Sequence, residues 1–124
     1  MIKECLLIAC GGGIGALLRY LGTTIFSAKL KNTHWGTFWI NILGCFALGF
    51  SFEILLKTNN HLFLFVIVGL IGSFTTFSTF EYENIDLIAH ERYTEFLKYS
   101  IYSCFFAFLA VACGYYLSKL FFTA

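Results

Sequence analysis

The stretch Gly69–Phe80, GLIGSFTTFSTF, carries a run of hydroxyl groups inside an otherwise apolar segment. Three of the four side chains from Thr75 to Ser78 are hydroxyls, and no Asp, Glu, Lys or Arg lies between Lys57 and Glu81. In a lipid bilayer, polar groups and interrupted backbone persist only where they are buried in protein or line a wet path. The stretch therefore predicts a conduction or binding site inside a membrane protein.

The rest of the chain has the composition of a membrane protein. It is 59% hydrophobic and 12% charged, contains no proline, and offers four long apolar segments separated by the short polar breaks SAKLKNTH, KTNNH and AHERYTE. A spanning helix needs about 20 mainly apolar residues. The predicted spans are Cys5–Phe26, Trp35–Leu56, Leu62–Ala89 and Phe96–Phe122. We therefore expect one all-α domain, residues 1–124, with four transmembrane helices in the lipid bilayer.

Basic residues are divided almost evenly between the two sides of the membrane that this arrangement implies. One side carries Lys3, Lys57 and Lys119, and the other carries Lys29, Lys31, Arg92 and Lys98. Orientation normally follows an asymmetry of Lys and Arg. The even division fits a weak preference that one further charge would settle. The sharper alternative is dual topology, in which copies insert both ways and pair antiparallel.

The first two segments combine close-packing and charged positions. Gly11 and Gly15 form a G-x-x-x-G pair, which lets helix backbones approach closely in membranes. Arg19 either extends to the headgroups or is a cation buried in the bundle that acts on a pore mouth. Glu53 and Lys57 stand four residues apart, which predicts an ion pair at a helix end.

Asn41 lies well inside the second segment, six residues after Trp35. An amide at this depth must find hydrogen-bond partners. It either joins helices by hydrogen bonds or presents its NH₂ group to a permeating species. Both interpretations remain open from the residue alone.

The third segment is too long for one unbroken span, because its 28 residues would measure about 42 Å as an α-helix. Gly69, Gly72 and the cluster Ser73–Thr76 are the place to interrupt it. A break frees backbone carbonyls, which are ligands for hard cations, and sodium would suit them. The alternative is a helix kinked by Ser/Thr bonds to its own carbonyls, without an ion.

Phe77 and Phe80 follow the break and share a helix face because they are three residues apart. Aromatic ring edges carry positive quadrupole density, so edges turned towards a pore attract a small anion. The ordinary alternative is a pair of core or lipid-facing rings. Ser78 and Thr79 add hydroxyl donors beside them. The acids Glu81, Glu83 and Asp86 fall near the interface, where they are either solvated helix-end groups or contributors to gating.

Three motifs, GGGIGALLRY, GTFWINILGCFALGF and GLIGSFTTFSTF, together resemble the Fluc/CrcB fluoride channel family in order and placement. The resemblance implies an antiparallel dual-topology homodimer with two passive fluoride pores, in the plasma (inner) membrane of a microbe. It implies a structural Na⁺ held by the backbone carbonyls of Gly72 and Thr75. The fluoride pathway implied is Asn41, Phe77, Phe80, Ser78 and Thr79, with Arg19, Thr76 and Glu83 beside the pore.

The fourth segment departs from the pattern. Some relatives are expected to carry a serine deep in this helix, but Phe105–Cys113 contains none, and Ser100 and Ser103 lie nearer its start. A contribution of this helix to the ion path is therefore left open.

The main alternative function is a small proton-coupled multidrug exporter of the four-helix, dual-topology type. Such a transporter needs a carboxylate embedded in the membrane, whereas Glu4, Glu53 and Glu81 lie at segment ends. A non-catalytic assembly subunit would leave the hydroxyl run unexplained. We expect no enzyme, because the three histidines fall in loops or at helix ends, and no nucleic-acid partner. The five cysteines lack metal-site spacing and are expected to be packing residues.

Overall fold

The computed structural model describes residues 1–56 and 60–122, which form helices joined by short turns. Helix α1 spans Ile2–Leu30 and α2 spans Thr33–Leu56. The third span, Asn60–Ala89, consists of α3 (Asn60–Phe63), a π-helix (Leu64–Ile71), α4 (Gly72–Phe74) and α5 (Phe77–Ala89), and α6 (Tyr93–Phe122) is the fourth span. All four spans include a helix long and apolar enough to cross a membrane, which confirms the predicted number. The predicted ion pair between Glu53 and Lys57 lies outside the described residues.

Two turns connect the spans on one side of the bundle. After α1, Lys31 adopts the left-handed conformation (φ 52°), and its N–H bonds to the Ser27 carbonyl. After α5, Glu91 is also left-handed (φ 58°), and the Arg92 N–H bonds to the Leu87 carbonyl at 2.8 Å. Because both turns lie on the same side, α2 and α6 start there together and run in the same direction.

Close helix packing occurs where glycine removes a side chain. Helix α2 packs chiefly on α6, and α1 packs chiefly on the π-helix. A Cβ atom at Gly11 would overlap the carbonyl oxygen of Phe65, and one at Gly15 would overlap that of Leu70. These obstacles are backbone atoms, which cannot move aside cheaply. The close approach predicted from the G-x-x-x-G pair is confirmed, and the partner of α1 is the third span.

The third span is interrupted at two threonines, which confirms the predicted break. Thr75 (φ −79°, ψ 156°) and Thr76 (φ −149°, ψ 112°) are both extended. The Thr75 hydroxyl donates to the Ile71 carbonyl at 3.2 Å, so the Ser/Thr back-bonding considered above also occurs, but beside a full interruption. Gly44 of α2 makes room for the break, since a Cβ atom there would overlap the Thr75 methyl group.

The buried core lies next to the break. It comprises Phe38, Phe80, Leu87 and Tyr99, which come from α2, α5 and α6. The outer faces of the helices remain apolar and exposed, as a lipid-facing surface requires. The core therefore fixes α5 against α2 and α6 while the start of α5 stays at the edge of the break.

Candidate functional site

A pocket of about 230 Å³ lies beside the break in the third span. Its walls come from α2, the interrupted segment, α5 and α6. The lining residues are Asn41, Cys45, Thr75, Thr76, Phe77, Phe80, Ser103, Cys104 and Ala107. An apolar pocket with a few convergent polar groups is the usual form of a binding site. Five residues singled out from the sequence are thus brought together here.

Asn41 fixes the backbone at the break. Its Oδ1 accepts the N–H of Thr76 at 2.8 Å, and its Nδ2 donates to the Thr76 carbonyl at 3.1 Å. Asn41 therefore joins α2 to the third span by hydrogen bonds, which is one of the two roles considered from the sequence. An NH₂ group has two donors, and one donor of Asn41 remains for a second partner in the pocket.

At the break, two backbone N–H groups bond to side chains and not to the carbonyls that would accept them in a continuous helix. The Gly72 carbonyl would accept the N–H of Thr76, but that N–H is donated to Asn41. The Thr75 carbonyl would accept the N–H of Thr79, which is donated at 3.2 Å to the Thr76 hydroxyl that caps α5. Both carbonyls are left to other partners, and carbonyl oxygens bind hard cations. Within residues 1–56 and 60–122, no cluster of three His, Cys, Asp or Glu side chains could hold a metal.

Phe77 and Phe80 pack against each other at the start of α5. Their ring centroids are 5.7 Å apart, and the planes are inclined by 38°. Phe80 is buried and packs against Tyr99 at 5.1 Å, whereas Phe77 is 73% exposed. One ring is therefore fixed by the core, and the other lies at the open edge of the pocket.

Other residues expected at the site lie outside the pocket wall. The hydroxyls of Ser78 and Thr79 contact the Thr76 hydroxyl, at 3.4 and 2.9 Å, beside the cap of α5. The side chain of Arg19 on α1 makes no hydrogen bond or ion pair with any residue in the described part of the chain. Gly72 is exposed on the other side of the break. Ser78 and Thr79 therefore lie next to the pocket, and Arg19 and Gly72 do not line it.

Glu83 belongs to a buried hydrogen-bond network behind Phe80. The side chain is 5% exposed, so it is not the solvated helix-end acid considered from the sequence. Tyr99 donates to its Oε2 at 2.6 Å, and Thr37 donates to its Oε1 at 2.8 Å. Phe80 contacts the same tyrosine ring. These contacts form a buried polar network that extends from Phe80 towards the start of α2 and α6.

Sequence reasoning missed Thr37 and Tyr99 and left the contribution of Ser103 open. Helix α6 does contribute to the pocket, and the Ser103 hydroxyl is buried without a hydrogen-bond partner among the described residues. Helical spacing could have found all three. Thr37 precedes Asn41 by four residues, and Tyr99 precedes Ser103 by four, so each pair shares a helix face.

The chain is similar to known proteins over nearly its whole length. A family model described as CrcB-like protein, Camphor Resistance (CrcB), matches residues 6–115. The fluoride-specific ion channel FluC of Phocaeicola vulgatus is 40% identical over 95% of this chain and 100% of its own length. The fluoride-specific ion channel FluC 1 of Ligilactobacillus salivarius is 36% identical over 91% and 97%. FluC of Helicobacter pylori is 34% identical over 90% and 89%.

Proposed function

Because this chain belongs to the CrcB-like protein family, we propose that it is a fluoride-selective ion channel that passes fluoride passively out of the cytoplasm of a microbe. The plasma membrane is the site of action that this proposal requires. The observation that carries the proposal is the pocket at the helix break, where Asn41, Phe77 and Phe80 meet, in a chain whose relatives are named fluoride-specific ion channels.

Conduction would replace part of the hydration shell of fluoride by weak contacts in the pocket. The second Nδ2–H of Asn41 on α2 and the Ser103 hydroxyl on α6, which has no partner among the described residues, are donors in this pocket. The ring edges of Phe77 and Phe80 supply positive quadrupole density without a formal charge. Each contact is weak enough to permit exit, as conduction requires. Narrow walls and hydrogen-bond donors favour a small, hard anion over chloride.

Beyond Phe80, the proposed ion path would continue along the polar network of Tyr99, Thr37 and Glu83. The two hydroxyls neutralise part of the Glu83 charge by donating to both of its oxygens. They can release those bonds to a passing anion and remake them afterwards. Ser78 and Thr79 supply further hydroxyls at the start of α5, and Arg19 adds positive potential from α1.

The carbonyls of Gly72 and Thr75 would hold a structural sodium ion. The diverted N–H groups of Thr76 and Thr79 support this assignment, since each carbonyl lacks its usual helical donor. A bound cation would stabilise the interrupted backbone and add positive charge near an anion path. The Gly72 carbonyl lies just before the break, the Thr75 carbonyl lies within it, and Asn41 bonds to the backbone of Thr76 next to them.

A second copy of the chain, paired antiparallel, would complete the channel. Phe77 is 73% exposed in a single chain although it lines the pocket. A neighbouring subunit would cover that ring and close the outer wall. Two copies would then form two pathways, and the nearly even division of Lys and Arg fits insertion in both orientations.

The comparison with named relatives also bears on the alternatives. The sequence argument against a proton-coupled exporter was that no carboxylate lies inside the bundle, and the burial of Glu83 removes that argument. What favours the channel is family membership, together with the two hydroxyls that already occupy the Glu83 carboxylate. The relatives are named ion channels, which supports the prediction that the chain is not an enzyme.

Efflux from liposomes tests the proposal. Purified protein is reconstituted with internal fluoride or chloride, and anion release is followed with a selective electrode in sodium and in sodium-free buffer. We expect rapid fluoride release, no chloride release, and a loss of activity without sodium. A well-folded protein that releases no fluoride would contradict the channel assignment.

A further inference from the structure

A second, smaller pocket of about 60 Å³ lies where α2 and α6 begin. A single water needs roughly 10–15 Å³, so the space suffices for a small ion with some of its water. Its lining residues are Asn32, His34, Trp35, Leu87, Glu95, Lys98 and Tyr99. The positive ends of α2 and α6 lie at this pocket, and the negative ends of α1 and α5 meet them in the two turns, so the side chains decide which ion is favoured. None of its polar residues is used in the pocket at the break.

One side chain, Tyr99, separates this pocket from Phe80 and the proposed ion path beside it. On one side the Tyr99 ring packs against Phe80 at 5.1 Å, and on the other it packs against His34 at 5.6 Å. Its hydroxyl donates to Glu83. Tyr99 is therefore the one ring that lies between His34 at the smaller pocket and Phe80 at the pocket beside the break.

The hydrogen bonds of His34 define which ring nitrogen carries a proton. The Asn32 Oδ1 accepts the backbone N–H of His34 at 3.0 Å. This bond fixes the orientation of the Asn32 amide, because the NH₂ group could not accept it. The same oxygen lies 2.8 Å from His34 Nδ1, which must therefore be the donor. Nε2 holds a lone pair in the neutral ring and becomes a second N–H donor when the ring is protonated. Protonation thus adds both a charge and a donor.

The charges around His34 come from two helices. Helix α6 presents Lys98 and Glu95, and the Arg92 Nε–H donates to Glu95 at 2.8 Å, which offsets the negative charge of that carboxylate. Helix α5 contributes Glu83, which is close enough to interact with His34 and already accepts bonds from two hydroxyls. The neutral Tyr99 stands between Glu83 and the pocket. Lys98 interacts with Glu95 through space but makes no direct ion pair among the described residues, so its ammonium group can bind an anion.

We propose that this second pocket is an entry site for a small, strongly hydrogen-bonding anion, held by Lys98 and by His34, and that protonation of His34 tightens it. This inference rests on the proposed function, because the anion expected there is fluoride on its way to Phe80. A histidine side chain commonly changes charge between about pH 5 and 8. Anion capture is therefore stronger at pH 6 than at pH 8.

Current recordings in planar bilayers test the site, since HF that crosses the lipid carries no current. Fluoride is varied at pH 6 and at pH 8 on both sides of the membrane. The half-saturating fluoride concentration is expected to be lower at pH 6, by at most about fivefold, which is the effect of one full charge at about 4 Å in water. His34→Asn keeps a side-chain partner for Asn32 but cannot gain a proton, so its half-saturating concentration is expected to be equal at both pH values.

Two further variants make the result specific. Lys98→Gln is expected to raise the half-saturating concentration at both pH values and to retain the pH dependence. His90→Asn is the matched control, because His90 lies on the same side of the bundle but does not line the pocket, and wild-type behaviour is expected. A fluoride current without pH dependence, or one whose pH dependence survives in His34→Asn, would overturn the entry site and leave the channel assignment intact. No fluoride current from the wild type would overturn both.

Discussion

Asn41 binds both backbone groups of Thr76, accepting its N–H at 2.8 Å and donating to its carbonyl at 3.1 Å. This side chain gives the Thr76 N–H an acceptor in place of the helical carbonyl that the break removes. An unsatisfied backbone group inside a membrane protein is costly, so the amide stabilises an interruption that would otherwise close into a helix. The same amide faces the pocket, which couples the shape of the backbone to the proposed ion path.

Replacing Asn41 by aspartate disturbs both of these roles. Aspartate can still accept the Thr76 N–H, but it cannot donate to the Thr76 carbonyl, and it adds a negative charge to the wall of the pocket. We expect fluoride efflux from liposomes to fall at least about tenfold, since a lost bond of a buried group costs about 1–3 kcal/mol and the charge repels the anion.

Asn84→Asp is the matched control for this change. Asn84 is also buried, and its Oδ1 accepts the Ser100 hydroxyl at 3.0 Å, a bond that aspartate can keep. Asn84 does not line the pocket at the break. Efflux close to wild type is expected for Asn84→Asp, and an equal loss in both variants would show that any buried aspartate inactivates the protein.

The ring of Phe80 is predicted to be needed for conduction. Phe80→Ile keeps an apolar side chain but removes the aromatic edge next to Phe77 and Tyr99. We expect fluoride efflux to fall at least about tenfold, the rate equivalent of about 1.4 kcal/mol, while the variant still elutes as a well-folded protein. Phe108→Ile serves for comparison, because Phe108 is 80% exposed on α6 and outside the pocket. Undiminished efflux from Phe80→Ile would exclude the ring-edge mechanism.

The Thr76 hydroxyl is predicted to control sodium affinity. Thr76→Ala removes the cap of α5 and frees the Thr79 N–H, which can then return to the Thr75 carbonyl. A backbone hydrogen bond contributes about 0.5–1.5 kcal/mol, so up to about tenfold more sodium should be needed for half-maximal efflux.

Thr24→Ala provides the control for the sodium experiment. Thr24 is an exposed threonine of α1 whose hydroxyl donates to the Tyr20 carbonyl, away from the break. Its sodium requirement should match that of the wild type. If Thr76→Ala shows the same requirement as well, the Thr75 carbonyl is not a ligand.

The architecture was accessible from the sequence because a bilayer imposes simple length rules. Apolar segment lengths predicted four spans, and the excess length of the third predicted its break. The glycine spacing of Gly11 and Gly15 predicted close packing, since small residues are what permit it. The π-helix Leu64–Ile71 was not predicted, because no local residue pattern distinguishes it from an α-helix.

The sequence predicted only part of the site, and the reason is physical. Asn41, Phe77 and Phe80 stand out as polar or aromatic residues near the break. Tyr99 and Thr37 do not, because their importance arises from Glu83, which the sequence places near an interface and the fold buries. Burial depends on how α5 packs on α2 and α6, and that packing cannot be inferred from the residue pattern of one sequence.

The packing of α1 against the π-helix gives a further prediction, on stability. Gly15→Ala would place a methyl group onto the Leu70 carbonyl oxygen, whereas Gly13→Ala places one where no atom lies within 4 Å. Both changes gain the same helix propensity in α1, so the difference between them isolates the contact. Forcing a group into a packed interface costs about 1–3 kcal/mol. Unfolding in SDS, followed by circular dichroism, should therefore require less SDS for Gly15→Ala than for Gly13→Ala, and equal midpoints would mean that α1 can shift away from the third span without cost.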